Sequence, residues 1–126
     1  MLLGDLEQRV INAAWRLGRP ATARELHEMV SRRHDVAYIT AVTVANRLVE
    51  KGLMRREKVQ YVFHYSPTLS REDFLLQASR HVVGRILGLG ARAVTSSLVD
   101  VLAEHDPEEL AELARLVRKK LKDPGN

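Results

Sequence analysis

The residues whose types and spacing best suggest chemistry lie in the run A-Y-I-T-A-V-T-V-A-N-R-L-V-E-K-G, residues 37–52. Ala41, Val44, Ala45 and Leu48 recur at i, i+3, i+4 and i+7, so a helix gathers them on one face. The opposite face then carries Ile39, Thr40, Thr43, Asn46 and Arg47. A helix that only covers a core usually shows water a mixture of Glu, Lys and Gln. This set suits the edges of base pairs. Threonine hydroxyls donate and accept, Ile and Thr methyls meet a thymine methyl, Asn matches adenine, and Arg matches guanine or a phosphate. An ordinary amphipathic helix with a Thr-rich outer face has the same spacing, so both readings stand at this point. Gly52 supplies the left-handed conformation that ends such a helix.

A helix that presents those groups needs a scaffold. Leu6, Val10, Ala13, Ala14 and Leu17 repeat at helical spacing, with Asp5 expected as N-cap and Gly18 as the stop. Trp15, the single Trp, reads as a core anchor. Arg19-Pro20-Ala21 is a turn or a very short strand. Thr22 and Glu25 are spaced as a capping box for a second helix, whose apolar face is Leu26, Met29 and Val30. Two short helices, the polar turn Ser31–Val36 and a third helix make a helix-turn-helix. Leu53–Glu57 and Tyr61–Ser66 then read as strands, because Tyr61, Phe63 and Tyr65 alternate with Val62 and His64. A hairpin after a helix-turn-helix is the wing of a winged helix. Its tip, Lys58-Val59-Gln60, lacks Gly and Asn, which predicts a loose loop. Arg55, Arg56 and Lys58 are the candidate phosphate contacts of this wing, with solvated strand charges as the alternative.

Pro67-Thr68-Leu69 breaks the pattern and divides the chain into residues 1–69 and 70–126. Ser70 opens a helix with Glu72 and Asp73 in its first turn, and Gly88 and Gly90 interrupt it. Asp106-Pro107-Glu108-Glu109 is a well-formed helix start, a cap followed by Pro at the first position. Phe74, Val82, Ile86, Leu98, Leu102, Leu113, Leu116 and Val117 lie on apolar stripes too wide for three helices in roughly 55 residues to bury on themselves. These eight are the candidate contacts of a homodimer. Folding back onto the first domain in a monomer is the other solution. The expected fold class is mainly α with a small β-hairpin: a winged helix-turn-helix followed by a C-terminal helical dimerisation region.

Composition narrows the function. The 126 residues carry a net charge of +4, and all of that excess lies in residues 1–69, while 70–126 is balanced. This is the asymmetry expected if the first half meets a polyanion. There is no Cys, which removes disulfides, thiolate metal sites and a cysteine nucleophile. The histidines at 27, 34, 64, 81 and 105 are scattered, and neither a metal site nor a cofactor is expected. No G-x-S-x-G, paired carboxylates or Gly-rich phosphate loop occurs, so the chain does not read as an enzyme. No run approaches a membrane span, the first residues do not form a signal peptide, and the expected location is the cytoplasm. A protein- or RNA-binding winged helix without sequence-specific DNA readout is the alternative.

Several segments match a known family in register. L-G-D-L-E at residues 3–7, A-T-A-R-E-L-H at 21–27, A-Y-x-T-x-x-T-V at 37–44, R-L-V-E-K-G-L at 47–53, Y-x-P at 65–67 and L-S-R-E-D at 69–73 resemble the penicillinase-repressor (BlaI/MecI) family. P-E-E-L at 107–110 adds a weaker match. The resemblance implies a dimeric winged-helix repressor of antibiotic-resistance genes, whose third helix enters the major groove of a pseudo-palindromic operator and whose C-terminal helices form the dimer. It places Tyr38, Thr40, Thr43 and Arg47 at the family's recognition-helix positions. Ile39, Ala41, Val42 and Ala45 depart from the commoner Thr, Val, Met and Leu there, and Gln60 and Tyr61 replace a usual Gly and a basic residue in the wing. The implied partners are double-stranded operator DNA, a second copy of the chain, and a regulatory protease or membrane sensor. The Asn-Phe dipeptide cut in staphylococcal members is absent, with Asp100-Val101 nearest in place, so the cleavage route does not follow from the sequence. The copper-responsive branch requires a Cys-rich tail and is excluded. The operator, the regulated genes and the inducing signal are not encoded in any motif.

Overall fold

The computed structural model describes residues 3–125. Its first element, α1 (Asp5–Leu17), starts one residue earlier than a cap at Asp5 would allow. Gly4 is the N-cap, and Glu7 reaches back to accept from the Gly4 amide at 3.0 Å. Asp5 instead occupies the first turn, where its charge favours the positive end of the helix dipole. Gly18 closes α1 in the left-handed conformation, φ 67°.

Strand β1 (Ala21–Thr22) leads directly into α2 (Ala23–Ser31). The expected capping box is present. Thr22 Oγ1 accepts from the Glu25 amide at 3.2 Å, and Glu25 Oε1 accepts from the Thr22 amide at 3.0 Å. Arg19 donates to both Glu25 oxygens, from Nη1 to Oε1 and from Nη2 to Oε2. That ion pair, followed by the Thr22 amide, lowers the Glu25 pKa from 4.5 to about 2.

Helix α3 (Tyr38–Glu50) follows, then β2 (Met54–Val59) and β3 (Val62–Pro67). The three strands form one antiparallel sheet in the order β1-β3-β2. Ala21 lies opposite Tyr65, and Arg56 lies opposite Tyr65 from the other side. Thr68 closes the hairpin base, with its amide on the Leu53 carbonyl and its hydroxyl on the Gly52 carbonyl.

The hairpin tip corrects the expectation of a loose loop. Val59 pairs with Val62, so only Gln60 and Tyr61 turn the chain, with φ 50° and 69°. Positive φ at both central residues is the type I′ pattern, whose twist matches the strands. Neither residue is Gly, so the turn holds two side chains in a region that L-residues disfavour.

Val10, Ile11, Leu26, Leu48 and Met54 are buried at the centre of one hydrophobic core, joined by Tyr65 and Phe74. At roughly 1.5–3 kcal/mol for each large apolar side chain removed from water, these contacts dominate the stability of the first domain. Trp15 is half-buried; its indole donates to the Leu69 carbonyl at 2.9 Å and its ring meets Phe74 at 5.4 Å. The chain divides into two compact units, one ending at Arg80 and the other beginning at His81. The division falls within α4 (Arg71–Leu87), because Phe74 and Ala78 on its first turns pack on the core of the first unit. In the second unit, α5 (Ala91–His105) and α6 (Pro107–Lys122) contact one another, and neither contains a buried residue. Asp106 Oδ1 caps α6 through the Glu109 amide at 3.3 Å. No helix among the described residues is long and apolar enough to cross a membrane.

Two outcomes follow from this packing. Because the folded Glu25 pKa is depressed, its contribution is complete above pH 4.5 and disappears as pH falls towards 2. Urea denaturation from pH 6 to 2 should therefore show wild type losing stability relative to Glu25→Gln only below pH 4.5, with a constant difference above it. Tyr61→Gly should raise stability by about 1 kcal/mol through relief of the positive φ, read as a higher denaturation midpoint at unchanged m-value.

Candidate nucleic-acid interface

The site is built on α3. Ala41, Val44, Ala45 and Leu48 are all buried, as their spacing requires. Helical geometry then turns Thr40, Thr43 and Arg47 to solvent, and Ile39 is 68% exposed. The first turn of α3 has no acidic residue, and its N-cap, Ala37, has no capping side chain. The first turn itself therefore contributes no carboxylate to oppose the positive end of the helix dipole. Thr43 donates its hydroxyl proton to the Ile39 carbonyl at 3.0 Å, so outward it offers lone pairs and a methyl group.

Two struts hold α3. At its N-terminus, His27 donates from Nε2 to the Val36 carbonyl at 2.6 Å; a carbonyl only accepts, which assigns the proton to that nitrogen. The same imidazole meets Tyr38 edge-on at 5.7 Å. At the C-terminus, Lys51 Nζ lies 2.7 Å from Glu7 Oε2 on α1. The ammonium compensates the negative charge of that buried oxygen. Lys51, followed by the Gly4 amide, lowers the Glu7 pKa below its ordinary value.

Asn46 has a different task from the one its position on the outer face implies. Its Oδ1 accepts from Arg56 Nη1 at 2.6 Å and from the Tyr65 hydroxyl at 3.0 Å. The side chain thereby ties α3 to both strands of the wing. Sequence reasoning missed this clamp because its partners lie 10 and 19 residues away.

The wing places its cations unequally. Arg56 and Lys58 share a strand face with Phe63, at 4.3 Å and 5.2 Å from the ring centroid, where the ring's negative face attracts both. Arg55 belongs to the other face, beside Glu57, Val59 and His64, since successive strand residues alternate. The structure thus brings Arg56 and Lys58 together on the face that reaches Asn46 and does not bring Arg55 with them. Tyr61, at the tip, is 94% exposed.

Of the residues expected to pair two chains, Phe74 is a correction: only 5% exposed, it belongs to the core beside Trp15 and has no surface to offer a partner. Val82, Ile86, Leu98, Leu116 and Val117 are exposed, and Leu102 and Leu113 are half-buried. No cluster of metal-ligating side chains occurs among the described residues.

Three helices, a strand-paired hairpin and a solvent-facing third helix define a winged helix-turn-helix protein with a helical C-terminal region. The model of the penicillinase repressor family matches residues 3–119, and the chain belongs to that family. The transcriptional regulator BlaI of Mycobacterium tuberculosis is 37% identical over 73 residues, 58% of this chain and 53% of that protein. The chain therefore spans about half the length of that relative. The methicillin resistance regulatory protein MecI of Mammaliicoccus sciuri is 23% identical over 118 residues, 94% of each chain. A solved structure of the monomeric form of Bacillus licheniformis BlaI in complex with the blaP half-operator is 25% identical, with a TM-score of 0.49, covering 58% of this chain and 88% of that one.

The Asn46 clamp has a measurable consequence. Asn46→Ala leaves the buried Tyr65 hydroxyl and the Arg56 guanidinium without their acceptor, and should lower stability by about 1–3 kcal/mol in equilibrium denaturation.

Proposed function

We propose that the protein is a sequence-specific DNA-binding repressor that acts as a homodimer on a pseudo-palindromic operator. The observation that carries this reading is the exposed face Thr40–Thr43–Arg47 on a helix whose other side is fully buried. Such a helix fits the major groove, where Arg47 can reach guanine or a phosphate and Ile39 can meet a thymine methyl. Tyr38 stands at the same end. Arg56 and Lys58 extend the positive surface along the wing and suit backbone phosphates, which position the protein without reading sequence. Arg55, on the opposite strand face, contributes to the general positive field. Asn46 acts by aligning wing and helix.

The homodimer is supported by the exposed Val82, Ile86, Leu98, Leu116 and Val117, with Leu102 and Leu113 beside them. Large exposed apolar patches mark interaction surfaces, and a second copy offers a self-complementary one. Two recognition helices related by a two-fold axis would read half-sites separated by about one helical turn or a simple multiple. The protein would work in the cytoplasm, with no cofactor; a sensor or protease acting on it is compatible with this arrangement.

Selection from random duplexes should enrich a palindrome. Arg47→Ala should weaken binding to that duplex by about tenfold or more, whereas Lys120→Ala on α6 should leave it nearly unchanged in gel-shift titrations. Equal losses in the two variants, or selection that enriches no palindrome at moderate salt, would count against DNA readout by α3 and favour a protein- or RNA-binding module.

A further inference from the structure

A second concentration of positive charge lies away from the outer face of α3. Arg9 and Arg16 stand seven residues apart, two turns along α1, and Arg33 and His34 follow the end of α2. Together they border a cleft of about 170 Å³ between the two helices, whose apolar lining is Ala13, Met29 and Val30. The space exceeds that of a single water, about 30 Å³ in the liquid, several-fold, and holds a phosphate-sized anion with part of its hydration.

The charges of this cleft are not neutralised from within. Among the described residues, the nearby cation–carboxylate pairs are Arg19 with Glu25 and Lys51 with Glu7, and Arg9, Arg16 and Arg33 form none. Asn12 adds a donor: its Oδ1 accepts from Gln8 Nε2 at 3.1 Å, which leaves its amide N–H groups for another acceptor. Three guanidinium groups around one concavity repel one another, and the apolar lining strengthens the field they share. Guanidinium forks match the oxygen pairs of phosphate groups bidentately.

We propose that the α1/α2 cleft is a binding site for a phosphate-class oxyanion. Its occupant is either a free phosphate-bearing molecule or a backbone phosphate of duplex DNA beyond the half-site; the second source rests on the DNA-binding reading above. The free-anion source does not require the outer face of α3, and its titration contains no DNA, so failure of the DNA reading and failure of the cleft are read separately.

The test uses the full chain. Inorganic pyrophosphate is titrated at constant ionic strength, without DNA, against wild type, Arg16→Gln/Arg33→Gln, and the charge-retaining Arg16→Lys/Arg33→Lys. The expected result for a free anion is a saturable rise in melting temperature and saturable amide shifts at residues 29–34, abolished in the Gln pair and partly kept in the Lys pair. The expected result for DNA phosphates is a salt dependence of duplex binding, log K against log salt, whose slope is shallower by about two in the Gln pair. Arg47→Ala should retain the pyrophosphate response while losing duplex selectivity. A wild type that shows no saturable pyrophosphate response, together with a salt slope unchanged in the Gln pair, overturns the site.

Discussion

The burial of one narrow stripe on α3 is the constraint on which the molecule depends. Ala41, Val44, Ala45 and Leu48 are inside, and a helix advances about 100° per residue. Once those four are packed, Thr40, Thr43 and Arg47 have nowhere to point except into solvent. Two of the four are alanines, which lets α3 lie close against its neighbours, while Leu48 fills the remaining space. Removing a buried leucine side chain costs about 2–5 kcal/mol, more than any single polar contact at the α3 surface contributes. The core therefore sets the orientation of the outer face, and the struts at Tyr38 and Lys51 refine it.

The wing obeys a second geometric rule, the alternation of strand side chains. Met54 and Tyr65 face the core, so Arg56, Lys58 and Phe63 continue on the same face, where the sheet runs past the core. Asn46 then joins that face to α3. Charge, aromatic ring and amide cooperate because each satisfies another: Arg56 donates to Asn46 while its guanidinium lies over Phe63. The tight turn at Gln60–Tyr61 forms despite unfavourable residues, because six paired positions in the register of β2 and β3 outweigh the strain of two positive φ angles.

The second unit shows the opposite balance. Its helices are amphipathic and α6 is capped by Asp106, yet no side chain in α5 or α6 is buried in the single chain. The two helices pack on one another only in part, and Leu98, Val99, Val101, Leu116, Val117 and Leu121, whose burial would stabilise them, still face water. Phe74 differs because it lies at the start of α4, within reach of Trp15 and the first core.

Periodicity and end signals made most of the fold legible in the sequence. The inner stripe of α3, the Thr22–Glu25 box, Gly18 and Gly52 at helix ends, the break at Gly88–Gly90 and the Asp106-Pro107 start all depend on contacts within a few residues, which spacing alone encodes. What lay beyond the sequence depends on pairs distant along the chain. The tight wing turn, the Asn46 clamp, the placement of Arg55 apart from Arg56 and Lys58, the capture of Phe74 by the core and the gathering of Arg9, Arg16 and Arg33 are decided by strand register and helix packing. Residue order states which side chains share a face; only the assembled tertiary structure determines what that face meets.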